Sequence, residues 1–221
     1  MKLRYIIKLS ILIYLISSEV SAQIFVNKDL EDGIAYMVDF IISDRFDSLS
    51  KTNTDLDLVD TLYLRAVHFH NGAIDEALLT LTFATLPFRE MPLHIPFTNI
   101  KLGAELPSGP EGILKKKIER LPGQVLIDSP QTKFGDKDKV AHFFGNAFLS
   151  YSVSLFNLSK FLSILVELFE DAFKVEGTID NRDFIANFLG YHFGKRLNDD
   201  KNYLPSEAFR LYTFFTLNYC Y

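Results

Sequence analysis

The chain has 221 residues, of which 48% are hydrophobic and 14% aromatic, and it contains 21 phenylalanines and one cysteine. Its net charge of −5 at pH 7 excludes the basic surface that a nucleic-acid-binding protein needs, so we predict no nucleic-acid partner. One cysteine excludes an intramolecular disulfide, and the fold must therefore depend on its hydrophobic core.

Residues 1–22 have the pattern of a cleavable secretory signal peptide. A basic start is followed by the short apolar run 9–16 and by Val20 and Ala22 at the −3 and −1 positions that signal peptidase reads. The run is shorter than the roughly 20 residues of a membrane-spanning helix, so cleavage before Gln23 is favoured over an uncleaved anchor. We therefore predict an exported protein of the cell envelope, in the periplasm or associated with a membrane.

Residues 23–86 are predicted to form a helical region. Apolar residues recur at helical spacing in three stretches, and the last two form a hairpin over residues 56–86 that weakly resembles a tetratricopeptide repeat. The residues that carry this resemblance are Gly72, Ile74, Ala77, Leu81 and Ala84. No second copy follows at a period of about 34 residues, so an ordinary helical hairpin is the favoured interpretation. Residues 28–86 are the region that would bind a protein partner.

His68 and His70 precede the turn at Asn71 and Gly72. Residues two apart do not share a helix face, so the two imidazoles would not act together. We interpret both as surface or capping residues and predict no catalytic site in this region.

Residues 87–135 are predicted to form a proline-rich extended connector. They hold seven of the eight prolines of the chain, which disfavours long helices. We expect one short helix near Glu111–Arg120 and a short strand within residues 94–106. The apolar residues of the connector are too numerous for a free linker, so it should pack on both halves of the chain.

Residues 136–221 are predicted to form a helical bundle, which completes a mainly α fold of N-terminal hairpins, connector and C-terminal bundle. Three helices are expected at about residues 138–156, 160–174 and 182–197. A fourth follows Pro205, with Ser206 as its N-cap. The middle helix would be about 22 Å long, shorter than the roughly 30 Å hydrocarbon core of a bilayer. We therefore expect membrane association without full spanning.

Each of the three helices carries one narrow polar stripe on an otherwise apolar surface. The stripe residues recur every three or four positions, so each stripe lies on one helix face. Polar seams surrounded by core or hydrocarbon should face one another, which would bring them into one polar cluster. The predicted cluster comprises Asp138, His142, Asn146, Glu167, Glu170, Asp183 and Asn187. Gly190 and Gly194 form a small-xxx-small pair that would let the third helix approach a neighbour closely.

The predicted cluster is compatible with two kinds of role. Buried ionisable groups are costly unless they are paired, so the cluster is either a structural network or a binding or catalytic site. As a site, His142, Glu167 and Asp183 would bind a divalent metal or act as an acid–base pair. We favour the structural network, which requires no cofactor.

The pattern of residues 136–196 resembles the VanZ-like membrane proteins. DKVAHF, starting at Asp138, is similar to the opening motif DKxxHF of that family, and DFIANFLGYHFG, starting at Asp183, is similar to its closing motif DxxxNxxGxxxG. Glu167 stands where the family carries a glutamate, while Glu170 stands where it usually has glutamine. The YfiM-like envelope lipoproteins have a similar start, but this chain lacks their lipobox cysteine. The resemblance implies one polar cluster in an envelope protein and carries no settled mechanism.

Three functions fit these features. The first is a non-enzymatic, membrane-associated envelope protein whose polar cluster is structural or binds a small polar ligand such as a lipid head group. The second is a metal-assisted or acid–base hydrolase of an envelope component, with His142 as ligand or base. The third is a soluble helical scaffold that acts through residues 28–86.

Overall fold

The computed structural model describes residues 28–88, 90–94, 101–105, 111–152 and 181–217. Within these ranges the chain is mainly helical, which confirms the predicted fold class. The helices are α1 Lys28–Ile41, α2 Asp44–Ser50, α3 Asp55–Phe69, α4 Ile74–Ala84, α5 Glu111–Arg120, α6 Lys137–Ser152, α7 Asn181–Asp199 and α8 Pro205–Leu217. The strands β1 Glu90–His94 and β2 Lys101–Glu105 pair as an antiparallel hairpin.

Two predicted segments, the signal peptide 1–22 and the helix 160–174, lie outside the described residues. Among the helices of the described ranges, none combines the length and the hydrophobicity that crossing a bilayer requires.

Local sequence signals set the helix ends in the N-terminal region. A capping box starts α3, because the Thr54 backbone N–H donates to Asp57 Oδ2 and the Asp57 N–H donates to Thr54 Oγ1. After α3, Asn71 and Gly72 take φ values of 51° and 91°, which end the helix and reverse the chain. Helix α4 then packs on α3 and α1, as expected for a helical hairpin.

His70 caps the C-terminus of α3, but its side chain is buried. Its Nε2 lies 2.8 Å from Thr80 Oγ1, and its Nδ1 lies 3.3 Å from Glu76 Oε2. Gly33 of α1 covers the ring so closely that a Cβ there would lie 2.8 Å from Nε2. The prediction of a capping role for His70 is confirmed, whereas the alternative of a surface position is wrong, because contacts with α1 and α4 bury its side chain.

The connector packs against the helical core instead of forming a free linker. Arg120 at the end of α5 donates to two backbone carbonyls between α1 and α2. Asp55 Oδ2 of α3 accepts the backbone N–H groups of Gly123 and Gln124 at 2.7 and 2.6 Å. The helix predicted at 111–120 is present, and the expected strand corresponds to β2, with β1 as its partner.

Lys117 on α5 is fully buried, and within the described residues its Nζ makes no hydrogen bond. Transfer of an ammonium group from water to the protein interior disfavours its charged form. Burial therefore lowers the pKa of Lys117 from 10.5 to about 8.

Helix α8 begins at Pro205, one residue before the predicted N-cap. Proline suits the first position of a helix, because the N–H that it lacks would have no intrahelical partner. Ser206 therefore lies inside the first turn, and its backbone N–H donates to Asp60 Oδ1 of α3 at 2.8 Å. The assignment of Ser206 as the N-cap is wrong.

One hydrophobic core joins the N-terminal and C-terminal helices. Helix α4 packs on α6, and α8 packs on α3. The rings of Tyr63 on α3 and Phe193 on α7 have centroids 5.3 Å apart, and Phe143 of α6 stacks on Phe209 of α8 at 4.5 Å. The described helices of the predicted regions 23–86 and 136–221 thus share a core and hold α6 and α7 in place.

Candidate functional site

Two glycines of α7 let its backbone approach the backbone of α6 closely. A Cβ on Gly190 would lie 2.2 Å from the carbonyl oxygen of Phe143, and one on Gly194 would lie 2.2 Å from that of Ala147. Both distances are far shorter than any real Cβ contact, so only glycine permits this approach. The close contact brings the polar stripes of the two helices together.

Lys139 lies at the centre of the charged part of this interface. Its Nζ is 2.7 Å from Asp138 Oδ2 on the same helix and 2.7 Å from Asp183 Oδ1 on α7. The three side chains are 6%, 13% and 18% exposed, respectively. Burial lowers the pKa of Lys139, but the charges of the two aspartates and their hydrogen bonds outweigh burial and leave the pKa above its ordinary value. Lys139 therefore carries its charge and bridges the two carboxylates.

The amide part of the interface continues along the same stripe. Asn187 Oδ1 on α7 accepts from Asn146 Nδ2 at 2.8 Å and lies 3.0 Å from His142 Nδ1. Asn146 Nδ2 also donates to the carbonyl oxygen of His142 at 2.7 Å. Because an amide oxygen only accepts hydrogen bonds, Nδ1 of His142 is the nitrogen that donates to Asn187.

Burial lowers the pKa of His142, and the nearby charges of Asp183 and Asp138 only partly oppose this effect. The ring is therefore neutral at pH 7, with its proton on Nδ1. Its Nε2 lies 3.5 Å from Asp183 Oδ1. His142 thus lies between the amide part and the charged part of the cluster, and it donates to the amide part through Nδ1.

The structure brings together five of the seven predicted cluster residues. These are Asp138, His142 and Asn146 on α6 and Asp183 and Asn187 on α7. The other two, Glu167 and Glu170, lie outside the described residues.

No family model, curated protein or solved structure matches this chain.

Sequence reasoning missed Lys139, although it lies inside the DKVAHF motif. It does not continue the four-residue spacing of the α6 stripe, so periodicity does not select it. Its long aliphatic stem nevertheless lets the ammonium reach a neighbouring face. The signal that could have identified it is chemical: two partly buried carboxylates on facing helices favour a cation between them, and Lys139 is adjacent to one of them.

A further carboxylate, which is fully buried, extends the network beyond the predicted residues. Asp136 is fully buried, accepts a hydrogen bond at Oδ2 from Ser129 Oγ, and has Oδ1 3.7 Å from Arg182 Nε. Burial raises its pKa, against the lowering effects of Ser129 and Arg182. Gly135, which precedes Asp136, has a φ of 57°, and a Cβ on Gly135 would lie 2.2 Å from the carbonyl oxygen of Gly123, so this approach requires glycine. Asp136 ties the loop 121–136 to the start of α7 through Arg182.

The charged part of the cluster also has the geometry of a metal-binding group. Ligand atoms of Asp138, His142 and Asp183 all lie within 4.8 Å of one another. Imidazole nitrogen and carboxylate oxygen are ligands that zinc and related cations accept. The Lys139 ammonium, however, lies at 2.7 Å from both carboxylates. A divalent ion would have to displace Lys139, because two cations would otherwise lie close together.

Proposed function

We propose that this chain is an exported, membrane-associated protein of the cell envelope, without enzymatic activity, in which the buried polar cluster holds the C-terminal helices in register. Support for the location comes from the signal-peptide pattern of residues 1–22 and from the resemblance of residues 136–196 to VanZ-like and YfiM-like envelope proteins. The structural role of the cluster rests on one observation above all: the Lys139 ammonium bridges carboxylates on two different helices.

Three features favour a structural cluster over a catalytic one. The central cation is a side chain of the protein itself. Across the interface, Asn187 Oδ1 accepts from Asn146 and from His142, and Asn146 also donates to the carbonyl oxygen of His142 within α6. The glycine contacts bring the helix backbones together and leave little space for a substrate between them. A buried network whose members bond one another fixes one register of two helices more sharply than apolar contacts alone.

A small polar ligand would reach the cluster at its charged end. The side chains of Asp138 and Asp183 are 13% and 18% exposed, whereas those of Lys139 and His142 are 6% and 3% exposed. Carboxylate oxygens at this edge suit a cationic group, such as the amine of a lipid head group. Ligand binding there would add to the structural role of the cluster.

The location is tested by fractionating producing cells and measuring the mass of the purified protein. Export with cleavage before Gln23 gives a chain that begins at Gln23, in a membrane fraction from which carbonate or salt releases it. A protein that retains residues 1–22 and stays in the cytosol would refute the location.

The structural role is tested with Asn187→Ala. Loss of the Asn187 amide leaves the His142 Nδ1–H and one Asn146 N–H without their acceptor, which costs about 1–3 kcal/mol for each buried group. We expect the free energy of unfolding in urea to fall by at least about 2 kcal/mol. Asn198→Ala on the same helix is the matched control, because Asn198 is exposed and its amide bonds only the carbonyl of Gly194. Equal stabilities for the two variants would contradict a structural cluster.

The second candidate function is a metal-assisted or acid–base hydrolase of an envelope component. The proximity of Asp138, His142 and Asp183 favours it. In that role the carboxylates and His142 Nε2 would bind the ion, and Lys139 would have to move away. Divalent metal that co-purifies in a one-to-one ratio, and that His142→Ala abolishes while the protein stays folded, would favour this function over a structural cluster.

A further inference from the structure

The outward side of α7 carries a stripe of residues that the polar cluster does not explain. Its exposed members up to position 196 are Asn181, Phe184, Phe188, His192 and Arg196. They follow one another at steps of three and four residues, so they share one helix face. Phe184 is 58% exposed and Phe188 is 49% exposed. Large apolar side chains grouped on a surface mark an interaction site more often than scattered ones do.

Further exposed apolar side chains lie at the same end of the molecule. The start of α7 borders the loop 121–136, because Arg182 lies 3.7 Å from Asp136. The second half of α8 borders this loop as well, because the Tyr212 hydroxyl donates to Asp128 Oδ2 at 3.4 Å. The exposed apolar residues on the loop and on α8 near these contacts include Ile127, Phe134 and Phe215. The stripe is therefore part of a larger apolar end.

The exposed positions of α7 from 181 to 196 include no acid, although the chain as a whole has 28 acidic and 23 basic residues. The acidic residue in the first turn of α7, Asp183, is directed inward to Lys139. The stripe reaches the exposed cation Arg196, and the exposed acid Asp199 follows three positions later at the end of the helix. Lys133, next to Phe134, is a further exposed cation, and Asp128 is the exposed acid on the loop. Phenyl rings exposed on a helix face can enter the boundary between lipid head groups and acyl chains, and nearby cations can contact anionic head groups.

We propose that the outer face of α7, centred on Phe184 and Phe188, docks on the anionic phospholipid surface of an envelope membrane. The two rings enter the boundary between head groups and acyl chains, and Arg196 and Lys133 contact lipid phosphates. The helix lies parallel to the membrane plane, since its inward face is occupied by α6 and the core. This inference rests on the membrane association proposed above and names the surface responsible for it.

The test is co-sedimentation of the purified exported protein with vesicles. Vesicles of phosphatidylcholine with one quarter phosphatidylglycerol are compared with vesicles of phosphatidylcholine alone. The double variant Phe184→Ser/Phe188→Ser is expected to bind the anionic vesicles about tenfold or more weakly than the wild type, because two rings no longer insert. Leu64→Ser is the matched control, since Leu64 on α3 is a large apolar residue that is 53% exposed and lies outside the stripe. Its binding should equal that of the wild type.

Two further variants separate the apolar contribution from folding and from charge. Phe184→Leu/Phe188→Leu keeps most of the apolar area and should retain binding, while circular dichroism and urea unfolding verify that the serine variant is folded. Arg196→Glu should weaken binding to the anionic vesicles and leave the weaker binding to neutral vesicles unchanged.

Each alternative result has a definite meaning. Equal binding by the wild type and the serine variant would overturn this docking face, while membrane association through another surface would stand. A wild type that binds neither kind of vesicle would also overturn the docking face, and cell fractionation would then decide the proposed location separately. If the wild type does not bind vesicles and the serine variant also loses much of its stability, then protein and not lipid covers the two rings.

Discussion

Replacement of Lys139 by methionine removes the cation that bridges Asp138 and Asp183 while keeping a side chain of similar length. The carboxylates are only 13% and 18% exposed, so water can replace the ammonium only in part. The variant leaves two carboxylates, one on α6 and one on α7, facing each other across the glycine-lined contact. Such a pair must either separate, which opens the helix interface, or take up a proton.

The size of the effect follows from the two contacts of 2.7 Å. At an effective dielectric constant near 20, each contact contributes an attraction of about 6 kcal/mol. The desolvation of three charges offsets much of this attraction, so the net value of the pair is far smaller than the sum. Removal of one partner of a buried pair nevertheless costs about 3–5 kcal/mol, because the remaining charges stay buried without compensation. We expect the free energy of unfolding of Lys139→Met to fall by that amount.

Urea unfolding followed by circular dichroism at pH 7 measures this loss. Lys51→Met is the matched control, because Lys51 forms an ion pair of 2.6 Å with Asp47 whose side chains are 70% and 38% exposed. An exposed pair contributes at most about 1 kcal/mol, so the control should remain close to the wild type. The double variant Lys139→Met/Asp183→Asn should recover part of the lost stability, since one of the repelling charges is gone. Equal losses in Lys139→Met and Lys51→Met would refute the bridging role of Lys139.

Three other predictions concern buried groups. Lys117→Met should raise the free energy of unfolding at pH 7 by up to about 3 kcal/mol. Burial lowers the pKa of Lys117 from 10.5 to about 8, so below pH 8 the folded wild type must hold a charged ammonium in its interior or release its proton. The difference in free energy of unfolding between the variant and the wild type should shrink as the pH rises from 8 towards 10.5. A difference that stays constant over this range in urea titrations would contradict the prediction. Gly194→Ala should cost at least about 2 kcal/mol, since its Cβ would lie 2.1 Å from Ser150 Oγ. Gly112→Ala on α5 should be neutral or stabilising in thermal unfolding, because among the described residues its Cβ would meet no atom within 4 Å beyond its chain neighbours and its own helix backbone. The pKa of His142 is lowered in the folded protein, so below pH 6.5 the unfolded chain takes up a proton that the folded state resists. The free energy of unfolding should therefore fall as the pH falls below 6.5, and the His142→Gln variant should lack this contribution to the slope.

The helical fold and most of the cluster could be predicted from the sequence because the relevant signals are local. Apolar periodicity predicted the helical hairpin over residues 56–86 and the helix over residues 182–197, and α3, α4 and α7 lie close to these bounds. The four-residue spacing of Asp138, His142 and Asn146 placed these residues on one face of α6 before any partner helix was known. Gly190 and Gly194 indicated where two helices could approach, because the absence of a Cβ is a property of the residue itself.

Contacts between helices that are far apart in the sequence decided the remaining features of the cluster and of the fold. Lys139 and Asp136 belong to the network because α7 brings Asp183 and Arg182 to them, and no periodicity within α6 specifies that meeting. His70 is buried because Gly33 and Thr80 close over it. The sequence by itself determined which helices form and which face of each is polar, since both depend on residues three or four positions apart. Only the tertiary structure decided which cation bridges the two carboxylates. Lys139 and Asp183 are more than forty positions apart in the chain, but their side chains lie within hydrogen-bonding distance in space.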